Sequence, residues 1–171
     1  MAIPRRPSMD DRGFPRYNQG MKITHSNDLP WTPALERGKF GQRRKALGGE
    51  KMPCGLWELA PGKRSFPLHV HHVTEEAMWV VSGRAKVRTP VGEADVGPGD
   101  FVSFPAGGKA HQLINDGTEP FVYVGMSAIA GFDVVEYPDS KKVGVAIGGF
   151  PAARRMIFRA DQQADYFEGE D

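Results

Sequence analysis

The chain has 171 residues, with 22 Lys and Arg against 21 Asp and Glu and 40% hydrophobic residues. That length fits one compact domain of ~100 to 150 residues with an arm, and the near-neutral charge excludes a broad field for nucleic acid or an anionic membrane. The single cysteine, Cys54, excludes an intrachain disulfide and every paired-cysteine metal motif.

Residues 1–20 mix Pro, Gly, Arg and Asp with few aliphatics, which leaves little apolar surface to offset the entropy of ordering them. A mobile N-terminal arm is expected there, and Met21, which begins a more structured-looking stretch, is a candidate for the natural start. The arm holds no apolar run of the signal-peptide kind, and no segment is long and apolar enough to span a bilayer. A cytoplasmic location is therefore the default expectation. Residues 21–171 are expected to form a single domain, with its barrel core at about 52–130.

From about residue 52 the chain becomes a succession of short apolar or alternating runs, each closed by Gly, Pro, Asn or Asp, which is the rhythm of an all-β domain. Between Arg84 and Thr89, Ala85, Val87 and Thr89 fall on one face and Arg84, Lys86 and Arg88 on the other, as in a half-buried strand. The runs Ala77 to Val81 and Phe121 to Met126 are apolar on both faces. A second sheet can cover one face and a partner subunit the other, so a homodimer is expected. Turns are placed at Ser82-Gly83, Val91-Gly92-Glu93, Gly97 to Asp100 and Asp116-Gly117, with the close spacing of a meander or jelly roll. In the tail, a short helix is expected around Arg159 to Ala164.

The chemistry is concentrated in PLHVHHVTEEAMWVVSG. His69 and His71 are two residues apart, which in a strand turns both imidazoles to one face. Glu76 follows five residues later and can return on the next strand with an oxygen ligand. His111, after the turn Pro105-Ala106-Gly107-Gly108, supplies a further imidazole. Three imidazoles and one carboxylate suit a single divalent ion, Fe, Mn, Ni, Co, Cu or Zn, and the lack of thiolate argues against a closed structural zinc site. Four protein ligands on an octahedral ion leave two positions open for substrate or water.

These stretches resemble the two motifs of the cupin superfamily. The first reads Gly62, six residues, His69-Val70-His71, four residues, Glu76, six residues, Gly83; the second reads Gly99, five residues, Pro105-Ala106-Gly107, three residues, His111, three residues, Asn115. Each carries one residue more than the usual form, in the loop before a ligand. Together with PGKRSFPLH, the run Tyr137 to Val145 and the closing DYFEGE, they make roughly residues 45–170 similar to small single-domain cupins described as sugar-phosphate (mannose-6-phosphate) isomerase-like. The resemblance implies an all-β jelly-roll barrel, the cupin double-stranded β-helix, with His69, His71, Glu76 and His111 as metal ligands.

Several other residues have readings of their own. Gly83, Gly99, Pro105 and Gly107 read as turn formers. His72 and Glu75 have the opposite parity to the ligands and should face away from the interior. His25 lies outside both motifs, and Cys54 reads as a small buried hydrophobe. Met78, Val80 and Leu113 share parity with ligands and should form an apolar wall. Lys109, Ser65 and Arg64 are the candidate substrate-binding residues, the two cations for a phosphate, and Glu76 is the candidate catalytic carboxylate. The leading expectation is a metal-dependent enzyme acting on a small polar metabolite, with aldose–ketose isomerisation of a sugar phosphate as its specific form. An Fe(II)-dependent dioxygenase and a non-catalytic metabolite-binding module are the alternatives. No helix-turn-helix pattern accompanies the barrel, so DNA recognition is not expected.

Overall fold

The computed structural model describes residues 22–149 and 152–170. The expected N-terminal arm, residues 1–20, lies outside the described residues. Thirteen strands follow one another: β1 (Leu35–Arg37), β2 (Phe40–Gly48), β3 (Cys54–Leu59), β4 (Val70–His71), β5 (Glu75–Ser82), β6 (Ala85–Thr89), β7 (Gly92–Val96), β8 (Phe101–Phe104), β9 (Gln112–Ile114), β10 (Phe121–Ala128), β11 (Phe132–Tyr137), β12 (Lys142–Ile147) and β13 (Arg154–Arg159). Among the described residues the only helical pieces are 3-10 turns at Ser26–Asp28 and Pro138–Ser140. Among the described residues no helix is long and apolar enough to cross a membrane.

The strands form an antiparallel six-stranded sheet ordered β1-β2-β3-β10-β5-β8, a three-stranded sheet β7-β6-β9 and a four-stranded sheet β13-β12-β11-β4. This all-β arrangement of facing antiparallel layers is the double-stranded β-helix expected from the motifs. Leu59, Met78, Val80, Val87, Leu113 and Phe121 meet between the layers as the main apolar cluster. Burial of such side chains stabilises a fold by roughly 1.5 to 3 kcal/mol each relative to exposure.

The alternation in β6 does what its pattern dictates. Ala85 and Val87 are buried, while on the other face Lys86 pairs with Asp95 at 2.7 Å and Arg88 with Asp139 at 2.7 Å. The turns expected at Gly97 to Asp100 and Asp116-Gly117 separate consecutive strands, and Gly83 turns the chain between β5 and β6, whereas Ser82 still belongs to β5 and Gly92 and Glu93 already belong to β7. Gly83 has φ +78°, and a Cβ there would stand 2.4 Å from the Pro120 carbonyl oxygen. Only glycine satisfies both constraints.

Two differences from the sequence reading stand out, and one expected feature takes shape. Strands begin at Leu35, well before residue 52, because β2 carries the polar run Gln42 to Lys45 on an outer strand where apolar alternation is weak. The helix expected around Arg159 to Ala164 is absent: β13 runs through Arg159, paired to Lys142, and a turn follows. Ladder pairing with β12 overrides the weak local helix preference. Finally, one register row on the outer face of the large sheet joins Leu56, Val124, Trp79 and Phe101 across β3, β10, β5 and β8. Trp79 and Phe101 are about half exposed there, at 48% and 58%.

Candidate metal centre

His69 and His111 are brought side by side by an isolated antiparallel bridge, with paired backbone hydrogen bonds of 3.2 and 2.8 Å. Directly opposed residues in such a bridge send their side chains to the same face, and their imidazole centroids are 4.7 Å apart. His71 joins that face by the two-residue strand period, and its ring centroid is 5.0 Å from that of His69. The Gly107 amide, at φ +68°, donates to the His71 carbonyl at 2.8 Å. The glycine of the second motif thus fixes the strand that carries the first.

Glu76 enters from β5, in one register row with Phe104 and Ser127. Its Oε2 lies 3.4 Å from His111 Nε2, 3.5 Å from His71 Nε2 and 3.9 Å from His69 Nε2. Ser127 Oγ donates to the other oxygen, Oε1, at 3.1 Å. Phe104, its neighbour in the row, stacks on the His111 ring with centroids 3.8 Å apart.

Hydrogen bonds on the far side of two rings decide which nitrogens face inward. His69 Nδ1 donates to the Pro67 carbonyl at 2.8 Å, and His71 Nδ1 donates to the Asp133 carboxylate. With the proton on Nδ1, each Nε2 presents a lone pair to the centre, the state a metal ligand needs. The other Asp133 oxygen accepts the backbone N–H groups of Val73 at 3.1 Å and Thr74 at 3.4 Å, so this carboxylate is held from three directions. His111 Nδ1 is buried without a hydrogen-bond partner among the described residues.

Electrostatics follow from the crowding. Burial would raise the Glu76 carboxyl, but the imidazoles of His111, His69 and His71 outweigh it and hold the carboxyl well below the usual range. Burial pushes the His111 imidazole below its ordinary value. Asp133 is likewise held below the usual carboxylate range: burial opposes this, and the His71 hydrogen bond and the backbone donors prevail.

His69, His71 and Glu76 offer ligand atoms all within 4.8 Å of one another. His111 is outside that triple, yet its Nε2 is the imidazole nitrogen nearest to Glu76 Oε2. Three imidazole nitrogens and a carboxylate oxygen converging on one point suit a divalent transition ion.

This cluster lies on a cavity of about 350 Å³. Trp57, Phe66, Met78, Leu113 and Tyr123 are its large apolar lining, Ser65 and Cys54 also line it, and Asp133, Tyr137 and Arg155 reach it from the four-stranded sheet. The wall expected from Met78 and Leu113 is there, while Val80 packs in the core instead. Two cross-strand glycines, Gly55 and Gly125, make room for the Trp57 indole; a Cβ on Gly125 would stand 3.0 Å from it.

The other expected site residues fall as follows. Ser65 is buried on the cavity, and its Oγ accepts the Leu113 N–H at 3.2 Å. Lys109 is exposed on the loop before His111 and is not part of the lining, because the added loop residue places it beyond the strand. Arg64 is also outside the lining, its guanidinium donating to Gln112 Oε1 at 3.2 Å. His72 points outward to Glu136, 3.0 Å away, and Glu75 is exposed. His25 caps the first 3-10 turn by accepting the Asn27 N–H. Cys54 is half-buried, and burial raises its thiol.

The cupin-domain family model matches residues 55–127. A solved structure described as a candidate sugar phosphate isomerase from Acidithiobacillus ferrooxidans is 31% identical over 73% of this chain and 80% of that one, with a TM-score of 0.67. The chain belongs to the cupin superfamily. This cupin also shares its fold with a sugar phosphate isomerase of the superfamily from Silicibacter pomeroyi, at 20% identity, 86% and 98% coverage and a TM-score of 0.73. The polyketide cyclase RemF from Streptomyces resistomycificus shares it too, at 21% identity, 63% and 78% coverage and a TM-score of 0.55. No curated protein matches the chain. One barrel thus carries unrelated reactions, and the reaction must be argued from the site.

Asp133, Tyr137, Arg155 and Ser127 were not singled out by sequence. Asp133 and Tyr137 had a signal: FDVVEY places Asp133, Val135 and Tyr137 on one face, and a carboxylate at an inward position asks for a buried partner.

Proposed function

We propose that this cupin is a metal-dependent enzyme acting on a small polar metabolite, with aldose–ketose isomerisation of a sugar phosphate as its reaction. The observation that carries the proposal is the convergence of His69, His71, His111 and Glu76 at the wall of an open cavity, which suits an ion with positions left for substrate. Similarity to the Acidithiobacillus protein supports the choice of reaction class.

Bound there, a divalent ion would polarise a substrate carbonyl and its neighbouring hydroxyl and so acidify the carbon-bound proton. Glu76 is the residue placed to move that proton. Its Oε2 faces the imidazoles, while Oε1 accepts from the Ser127 hydroxyl and has a second lone pair. A carboxylate is a weak base, so the transfer depends on that acidification. Ser127 keeps Oε1 in position, Asp133 holds the His71 ring, and Trp57, Phe66 and Tyr123 limit water on the apolar side.

The test is incubation of the protein, loaded in turn with each of the six divalent ions, with mannose 6-phosphate and with fructose 6-phosphate. Interconversion that is lost in Glu76→Gln is expected. No interconversion with any ion removes the isomerase reading, and oxygen uptake dependent on Fe(II) and a substrate would replace it with a dioxygenase.

A further inference from the structure

The four-stranded sheet lies almost wholly beyond the family-matched residues 55–127, since β11, β12 and β13 all follow residue 127. One register row crosses it: Asp133 on β11 opposes Ala146 on β12, and Ala146 opposes Arg155 on β13. Residues in one row share a face, and all three line the cavity. Asp133 sends its side chain to His71, so Arg155 stands at the other end of the same inward face.

Arg155 is the only lysine or arginine in that lining among the described residues. It makes no ion pair or side-chain hydrogen bond with any described residue. The nearest acid in its row, Asp133, is two strands away, about 10 Å by strand spacing, and is already engaged by His71, Val73 and Thr74. The floor between them consists of Ala146 and Gly144, the two smallest side chains available, and a Cβ on Gly144 would crowd the Tyr137 ring at 3.4 Å. Tyr137 borders this floor and feels the Arg155 charge, which lowers its hydroxyl's pKa against the larger raising effect of burial.

We propose that Arg155 and Tyr137 form an anion subsite, which takes the phosphate or carboxylate of a metabolite whose polar end reaches the four-ligand centre. The guanidinium offers a planar fork of donors matched to two oxygens of such a group, and the phenol hydroxyl can add a third donor. The small floor residues leave the path from centre to subsite open. The subsite deepens the isomerase reading and rests on it for the nature of the substrate, but not for its own existence. It also reassigns the anion-binding role from Lys109 and Arg64 to a residue far along the chain.

The experiment is a titration of the full chain, ¹⁵N-labelled and loaded with diamagnetic Zn(II), with inorganic phosphate and separately with acetate. The resonances followed are Arg155 Nε–H and the Ala146 amide. Saturable shifts at both are expected in the wild-type chain and, with unchanged affinity, in Lys109→Gln; in Arg155→Gln the Ala146 amide is the reporter, and its shift is expected at least tenfold weaker in affinity. Preference for phosphate assigns a phosphoryl head, and preference for acetate a carboxylate. Equal affinity in Arg155→Gln, or no shift at tens of millimolar of either anion, overturns the proposal. Because Arg155 is exposed, its replacement should leave the fold intact, and an unchanged amide spectrum away from the cavity checks this. Anion binding without sugar-phosphate turnover would sink the isomerase and spare the subsite. Turnover with an unchanged KM in Arg155→Gln would do the reverse.

Discussion

Asp133 receives the Nδ1 proton of His71 across 62 residues of sequence, and in doing so turns the His71 Nε2 lone pair toward Glu76. Replacing this carboxylate leaves every ligand in place but frees the ring and its tautomer. Asp133→Ala is expected to weaken metal binding roughly 10- to 100-fold, the usual effect of losing a carboxylate behind a ligating imidazole. Competition against a chelator reads it directly. An affinity equal to wild type would show that the strand alone orients His71.

Gly83 closes the first motif with a positive φ and the Pro120 carbonyl in van der Waals contact. Gly83→Ala combines backbone strain with a collision against rigid main chain, and each is costly. A loss of at least ~1 kcal/mol in urea unfolding is expected. Gly62, also at positive φ but with open space around it, should cost less on the same substitution.

Arg88 and Asp139 form a two-pronged pair at 2.7 and 3.1 Å that ties β6 to the turn after β11. Asp139 is held below its ordinary value of 3.8 chiefly by the Arg88 hydrogen bond. A carboxyl depressed by folding contributes stability above its unfolded value and loses it as pH falls through the folded one. Both side chains are partly in solvent, so the contribution is less than ~1 kcal/mol. Asp139→Asn should therefore lower the urea midpoint slightly at pH 7, and not at pH 2. An equal loss at both pH values would mean the pair acts by packing and not by charge.

The row Leu56, Val124, Trp79 and Phe101 gives the expected homodimer a face. These four residues are uncharged; the row continues to Lys45 on β2 at one end and stops at β8, an edge strand of the large sheet, at the other. A second copy laid on it about a two-fold axis would match the row to itself. Trp79→Glu is expected to convert a dimer to a monomer in light scattering at micromolar concentration without unfolding it. A wild-type chain that is already monomeric there would remove this face from consideration.

The fate of the sequence expectations follows from the range of each interaction. His69, His71 and Glu76 could be placed together because strand parity and one tight turn are local rules, and His111 through the resemblance of its motif, which the bridge to His69 then bears out. Asp133 was hidden because its role depends on the pairing of β11 with β4, which no local pattern announces. Arg155 was hidden twice over: β13 has apolar residues at only part of its length, and the segment beyond Arg159 had suggested a helix. Lys109 looked well placed by parity, but parity holds only within a strand, and β9 begins at Gln112.

His71 also anchors β4, the last strand of the four-stranded sheet, through a short seam to β11. Its residue opposes Val135 in a ladder only two residues long, and the neighbouring His72 N–H donates to Val134 at 2.9 Å. Opening of that seam and release of an ion held by His71 would then be one equilibrium seen by two observers. An ion that binds only the closed seam slows hydrogen exchange of the His72 amide by the factor 1 + [M]/Kd. The His72 exchange rate would thus work as a gauge of metal occupancy built into the backbone.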